Sequence, residues 1–62
     1  MLNAVVNSTP LISLHDIGML DILSKMYNCV YIPYGVYEEV SVDGGIPKDT
    51  LLSYPSFLIQ HI

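Results

Sequence analysis

Basic side chains are scarce in this sequence. Lys25 and Lys48 are the only Lys or Arg residues among 62, and six acidic residues bring the formal net charge to −4 at pH 7. Proteins hold the phosphate backbone of nucleic acids mainly with Lys and Arg. We therefore expect this chain, by itself, to bind RNA only weakly if at all.

The sequence also lacks a second cysteine and a long hydrophobic run. Cys29 is the single cysteine, which excludes an internal disulfide, the usual stabiliser of small secreted domains. No apolar run approaches the ~20 residues of a membrane helix. No Lys or Arg precedes Lys25 to form the basic region of a signal peptide. We expect a cytoplasmic protein that does not associate with a membrane.

Apolar residues, in contrast, are abundant. They make up 52% of the chain, whereas a domain of this size buries only about 60% of the surface that its unfolded form exposes. One small core cannot easily hide so much apolar surface. Either a partner covers the excess, through self-association or with another chain, or the sequence is a piece of a larger domain.

Short apolar runs alternate with amphipathic segments. We predict strands at residues 2–6, 29–32 and 57–59, the first two of them buried. The predicted helices begin at Pro10, with Ser8 or Thr9 as the N-cap, and then span residues 19–26, 35–40 and 47–52. Gly18 separates the first two helices. Strands that alternate with helices favour the α/β class, here a short parallel sheet of about three strands with flanking helices.

A polar residue, Asn7, follows the first predicted strand. In open α/β sheets, sites form at the carboxyl ends of the strands and gather side chains from several of them. We therefore expect a chain with so few strands to carry only part of such a site.

Three segments carry a resemblance to a known family: residues 5–12 (VVNSTPLI), 18–23 (GMLDIL) and 32–40 (IPYGVYEEV). In this order and spacing, the chain resembles the N-terminal half of a PIN-like domain. It is most similar to the uncharacterised PIN-like branch related to VapC toxins. The resemblance covers nearly all of residues 4–62 and implies a single partial domain over residues 1–62, with a truncated PIN-like (Rossmann-like) fold.

The resemblance also implies a function. PIN-like domains of this kind are Mg²⁺- or Mn²⁺-dependent ribonucleases, many of them toxins paired with an antitoxin, with a carboxylate cluster at the strand ends. The first family carboxylate falls on Asn7, which is an amide here, and the next falls on Glu39. These two residues are our predicted catalytic and metal-binding residues. The remaining family acids lie in a second half that this sequence does not contain.

Each of these residues has a second interpretation. Asn7 is either a weak metal ligand, an RNA-contacting amide or a cap for the following helix. Glu39 is either a metal ligand or a solvated surface acid, with Glu38 as the alternative ligand if the register is shifted by one. Ser8 and Thr9 either orient a ligand or, as we favour, cap the helix.

Other chemically capable side chains are interpreted as structural. Three tyrosines could stack on RNA bases, but packing against the sheet is the favoured role; they are Tyr31, Tyr34 and Tyr37. The two histidines lack the paired spacing of a zinc site, and Cys29 is interpreted as a small buried hydrophobe. The histidines are His15 and His61, and the remaining surface acids are Asp16, Asp43 and Asp49.

We therefore predict a truncated PIN-like protein related to the metal-dependent ribonuclease toxins of toxin-antitoxin systems, inactive by itself. A non-catalytic module that binds an antitoxin or a sister subunit is the alternative, and a truncated reading frame without a role is a third. The family topology sets the first strand between the second and an absent fourth, so that strand becomes an open sheet edge. The expected partners are an antitoxin, a complementary fragment or a further copy of the chain in a homo-oligomer.

Overall fold

The structure is a computed structural model and describes residues 2–61. Three strands alternate with four helices along the chain. The strands are β1 (Asn3–Val5), β2 (Cys29–Pro33) and β3 (Phe57–Gln60), and the helices are α1 (Ser8–Asp16), α2 (Asp21–Met26), α3 (Tyr34–Val42) and α4 (Lys48–Leu52). The α/β class and the three-stranded sheet predicted from the sequence are confirmed.

The three strands form one parallel sheet in the order β1-β2-β3. Ala4 pairs with Val30, and Val30 with Phe57. Connections between parallel strands are right-handed in nearly all proteins, and both connections here step in the same direction. Two such steps put all four helices on the same face of the sheet. The smallest dimension of the molecule, 19 Å, fits one layer of helices on one sheet.

The hydrophobic core lies between this sheet face and the helices. Every buried strand residue belongs to that face: Val30, Ile32 and Phe57. From the helices and loops, the fully buried members of the core are Leu11, Val40, Ile46 and Leu51.

The predicted burial of the first two strands is wrong for one of the two faces of the sheet. The side chain of Val5 is 69% exposed, and the burial of β2 alternates along the strand. Cys29 is half-buried for the same reason, whereas we expected a small buried hydrophobe. Parallel strands with a continuously apolar sequence are buried on both faces when helices cover both faces of the sheet. Here the helices cover only one face.

The first helix begins earlier than predicted. Its N-cap is Asn7, whose backbone is extended, and Ser8 and Thr9 lie inside the helix. Pro10 is therefore the third helical residue, not the first. Proline is tolerated there because the first four N–H groups of a helix have no intrahelical acceptor.

The first helix ends as the sequence predicts, at Gly18. This glycine has a φ of +71°, and its N–H donates to the carbonyl of His15 while the N–H of Met19 donates to that of Leu14. Such a pair of bonds is a Schellman motif, which satisfies carbonyls at the helix end. The other predicted helix boundaries differ from the observed ones by two residues or fewer. None of the helices within residues 2–61 is long and apolar enough to cross a membrane.

Two neighbouring leucines of α4 test the position of the core. Leu51 is fully buried and Leu52 is 60% exposed. We expect Leu51→Ala to lower the free energy of unfolding by about 2–5 kcal/mol because it leaves a cavity. The same change at Leu52 should shift it by less than about 0.5 kcal/mol. Urea unfolding followed by circular dichroism measures both changes. Equal losses of unfolding free energy in the two variants would contradict the described position of the core.

Candidate functional site

Polar and aromatic residues follow all three strands at one edge of the sheet. Asn7 comes after β1, Tyr34 directly follows β2, and His61 directly follows β3. Because the strands are parallel, their carboxyl ends share this edge, which is where open α/β sheets bind ligands. The edge is the candidate functional site of the chain.

Glu39 reaches this edge from α3. The hydroxyl of Ser8 donates a hydrogen bond to Oε1 of Glu39. Glu39 is exposed to solvent. The bond joins the first turn of α1 to the middle of α3, and so brings the carboxylate next to the residue that follows Asn7 in the chain.

Close packing of α1 against α3 supports this arrangement. A Cβ atom built on Gly44, just after α3, would lie 2.7 Å from the Ile12 side chain and 2.9 Å from the carbonyl oxygen of Val40. Only glycine allows so close an approach, since even one extra carbon would meet backbone there. No local sequence pattern indicates this packing role of Gly44, because the contact joins it to a helix more than 30 residues earlier in the chain.

Asn7 occupies the N-cap position without capping through its side chain. Its backbone has φ −92° and ψ 174°, and no side-chain capping hydrogen bond is formed. Within the described part of the chain, the amide also makes no other hydrogen bond. Its neutral carbonyl oxygen remains available at the tip of β1. The predicted roles of Asn7 and Glu39 in catalysis and metal binding stay predictions.

Glu38 points away from Glu39 and belongs to a different group of side chains. Its carboxylate accepts a 2.5 Å hydrogen bond from the Tyr34 hydroxyl and lies 3.0 Å from Nζ of Lys48. These two contacts lower the pKa of Glu38. The Glu38 carboxylate in turn raises the pKa of Tyr34 and that of Lys48. Glu38 is thus an ion-pair residue, which weakens its case as the alternative metal ligand.

An aromatic cluster surrounds this ion pair. The Tyr34 ring lies 4.6 Å from that of His61 and 5.9 Å from that of Tyr37, between centroids. Nζ of Lys48 lies 5.4 Å from the centre of the Tyr37 ring. Tyr37 is buried, as the packing interpretation required, whereas Tyr34 is exposed.

Sequence reasoning missed this cluster almost entirely. The spacing of Tyr34 and Glu38, four residues apart on a helix, was a usable signal because such residues are neighbours on the helix surface. Nothing in the sequence linked His61 or Lys48 to them. Those contacts depend on how β3 and α4 pack beside α3.

The remaining predicted residues lie where their structural interpretations place them. His15 is half-buried, with its Nδ1 atom buried and without a hydrogen-bond partner among the described residues. The three acids predicted to lie on the surface are exposed: Asp16, Asp43 and Asp49.

The residues present do not fit a complete divalent-metal site. Nowhere in residues 2–61 do three His, Cys, Asp or Glu side chains come together as a group that could hold a metal ion. Glu38 is committed to Lys48, and Glu39 shares its carboxylate with Ser8. A hard divalent cation prefers six or more oxygen ligands, several of them charged or water. One exposed carboxylate beside a neutral amide falls short of that.

Comparison with known families identifies the fold. A family model described as a PIN domain matches residues 3–60. The chain belongs to the PIN domain family. The match covers all the strands and helices described above, and it confirms the resemblance carried by the strand tip, the Gly18 segment and the β2–α3 segment.

Membership places the chain in a nuclease family whose members generally use divalent metals. The carboxyl edge of the sheet is then the expected position of the PIN site. No curated protein and no solved structure has a significant match to the chain.

The neighbouring glutamates Glu38 and Glu39 give a matched test of the site's electrostatics. We expect Glu38→Gln to lower the pKa of Tyr34 toward its ordinary value, because the carboxylate that opposes tyrosinate formation is removed. Glu39→Gln should leave the pKa of Tyr34 unchanged, since Glu39 contacts Ser8 on the other side of α3. A pH titration of the Tyr34 ring resonances by NMR measures both. An unchanged pKa in Glu38→Gln would contradict the described hydrogen bond.

Proposed function

We propose that this PIN domain chain is related to the metal-dependent ribonuclease toxins of toxin-antitoxin systems and is inactive by itself. The observation that carries the proposal is the composition of the carboxyl edge. There, the amide residue Asn7 stands where the family has its first acid, and Glu39 is the only acidic residue that matches a family acid.

The missing charge accounts for the inactivity. Metal-dependent hydrolysis of a phosphodiester requires oxygen ligands that anchor the cation, activate water and offset charge on the phosphate. A unit charge about 4 Å from another contributes up to about 4 kcal/mol near a protein surface. The amide of Asn7 supplies an oxygen without that charge, and Mg²⁺ or Mn²⁺ is therefore held too weakly for catalysis.

A complementary fragment or an antitoxin is the partner that suits this arrangement. β1 lies at the edge of the sheet, and Asn7 follows it directly. A further strand added parallel to β1 would end beside Asn7, about one strand spacing (~4.8 Å) away. Acidic side chains at that strand end would complete the carboxylate cluster.

A substitution that restores the family acid tests the proposed site. We expect Asn7→Asp to strengthen Mn²⁺ binding about tenfold or more, because the new carboxylate lies near that of Glu39. The helix should remain stable, since Asp is as good an N-cap as Asn. Mn²⁺ titration monitored by water-proton relaxation gives the affinities.

The control for that experiment is Asn28→Asp. Asn28 is also exposed, but it precedes β2 and so lies at the opposite, amino edge of the sheet. The two variants carry the same added charge. If both raise the Mn²⁺ affinity equally, the effect is general electrostatics and the proposed site is wrong.

An RNA-cleavage assay tests the proposed inactivity directly. The unmodified chain should leave single-stranded RNA intact in the presence of Mn²⁺. Cleavage that EDTA abolishes, and that Glu39→Gln also abolishes, would show that the chain carries a competent site and would overturn the proposal.

A non-catalytic interaction module is the second candidate. The bond between Ser8 and Glu39 favours it, because a carboxylate that joins two helices has a structural role without any metal. In that case Mn²⁺ should bind neither the original chain nor Asn7→Asp, and Glu39→Gln should lower stability instead.

A further inference from the structure

Two exposed aromatic rings lie side by side at the carboxyl edge of the sheet. Tyr34, which begins α3, is 41% exposed, and His61, which follows β3, is exposed as well. Their ring centroids are 4.6 Å apart, and the ring planes are inclined by 35°. An aromatic residue that only fills the core is buried, as the neighbouring Tyr37 is. Tyr34 and His61 instead present ring surface to solvent.

Contacts within the chain fix the orientation of the Tyr34 ring. Its hydroxyl donates a 2.5 Å hydrogen bond to Glu38, one turn further along α3. Glu38 is held in turn by Nζ of Lys48, 3.0 Å away. The Tyr34 ring also lies 5.9 Å from the buried ring of Tyr37. A side chain that is ordered before a ligand arrives loses little freedom on binding, and such preorganisation favours affinity.

The charge beside these rings is balanced, although the chain as a whole has a net charge of −4. Lys48 is one of only two Lys or Arg residues in the sequence, and it pairs with Glu38 here. A ligand that is held through its phosphates needs several basic side chains. This edge offers a single one, which already has a partner. The rings therefore suit a flat, uncharged group.

We propose that Tyr34 and His61 form a stacking platform for one unpaired base of a single-stranded RNA. The proposal rests on the proposed function, since the nuclease lineage makes RNA the polymer that reaches this edge. Aromatic side chains stack on unpaired bases with little dependence on sequence, because every base has a flat π face. The base is the uncharged planar part of an RNA, and it extends the stack of the two rings.

The platform lies on the opposite side of α3 from the Glu39 carboxylate. Ser8, after β1, contacts Glu39, whereas His61, after β3, contacts Tyr34. The ends of β1 and β3 are two strand spacings apart, about 10 Å. A single strand that crosses this edge with one base on the platform brings a neighbouring part of its backbone toward Glu39. Tyr34 and His61 are thus positioning residues for RNA at the candidate site.

Stacking makes this contact weak and nearly independent of salt. For single strands, each phosphate that a protein cation neutralises adds about −0.7 to the slope of log K against log salt concentration. Lys48 is the only cation beside the platform within the described residues. We therefore expect a slope no steeper than about −0.7, in contrast to the steep slopes of proteins that bind through many phosphates.

An NMR titration of the chain with a short oligoadenylate, in EDTA so that metal plays no part, tests the proposal. The ring resonances of Tyr34 and His61 should shift more than any others. Tyr34→Leu should weaken binding at least about fivefold, because it removes the stacking ring. Tyr27→Leu is the matched control and should leave binding unchanged, since Tyr27 precedes β2 and lies at the amino edge of the sheet.

A third variant, Tyr34→Phe, separates the ring from its hydroxyl. It retains the stacking surface and should keep the affinity within about threefold of the original, and circular dichroism establishes that all variants fold. Any of three results would overturn the proposal: no shift at either ring, equal affinity of Tyr34→Leu and Tyr27→Leu, or equally tight binding of a duplex RNA.

This test is independent of the test of the proposed metal site. The Mn²⁺ affinity of Asn7→Asp is measured without RNA, and the oligoadenylate titration is made without metal. Loss of the Asn7→Asp effect with the Tyr34 shifts intact would refute the metal site alone. The reverse pattern would refute the stacking platform alone.

Discussion

The direction of the two strand crossovers is the constraint on which the rest of this structure depends. Both step the same way across the sheet, and the usual right-handedness of such connections then puts all four helices on one face. One core forms there, around Val30 and Ile32 of β2. Within residues 2–61, no helix covers the other face and no strand pairs with the outer edge of β1. A parallel sheet usually has helices on both faces, whereas the helices of this chain cover only one face of its apolar strands.

The same packing determines what the chain can do chemically. Contact between α1 and α3, which the absent side chain of Gly44 permits, fixes Glu39 against Ser8. The rotation of about 100° between successive helical residues sends Glu38 elsewhere, to Tyr34 and Lys48. Two adjacent carboxylates at the same sheet edge therefore have different environments: Glu39 accepts a hydrogen bond from Ser8, and Glu38 contacts Tyr34 and Lys48 within the aromatic cluster.

Family membership and the local chemistry of the sheet edge rest on different residues. The PIN domain match covers residues 3–60 and establishes the nuclease lineage of the fold. A site at strand ends, however, is assembled from several strands, and its affinity for a divalent cation depends on the summed charge of its ligands. A chain can retain the fold with the hydrophobic pattern of three strands and still lack that charge, because core packing and metal binding use different residues.

The sequence by itself determined the alternation of strands and helices, the parallel sheet, the end of α1 at Gly18 and the family, since apolar spacing and turn residues act locally. It also supplied the prediction that Asn7 and Glu39 are site residues. Only the tertiary structure decided which strand faces are covered, that Pro10 lies inside α1, that Ser8 binds Glu39, and that Lys48 and His61 join Tyr34. Those outcomes depend on contacts between residues far apart in the chain, and such contacts follow from the relative placement of whole elements, which no local pattern specifies.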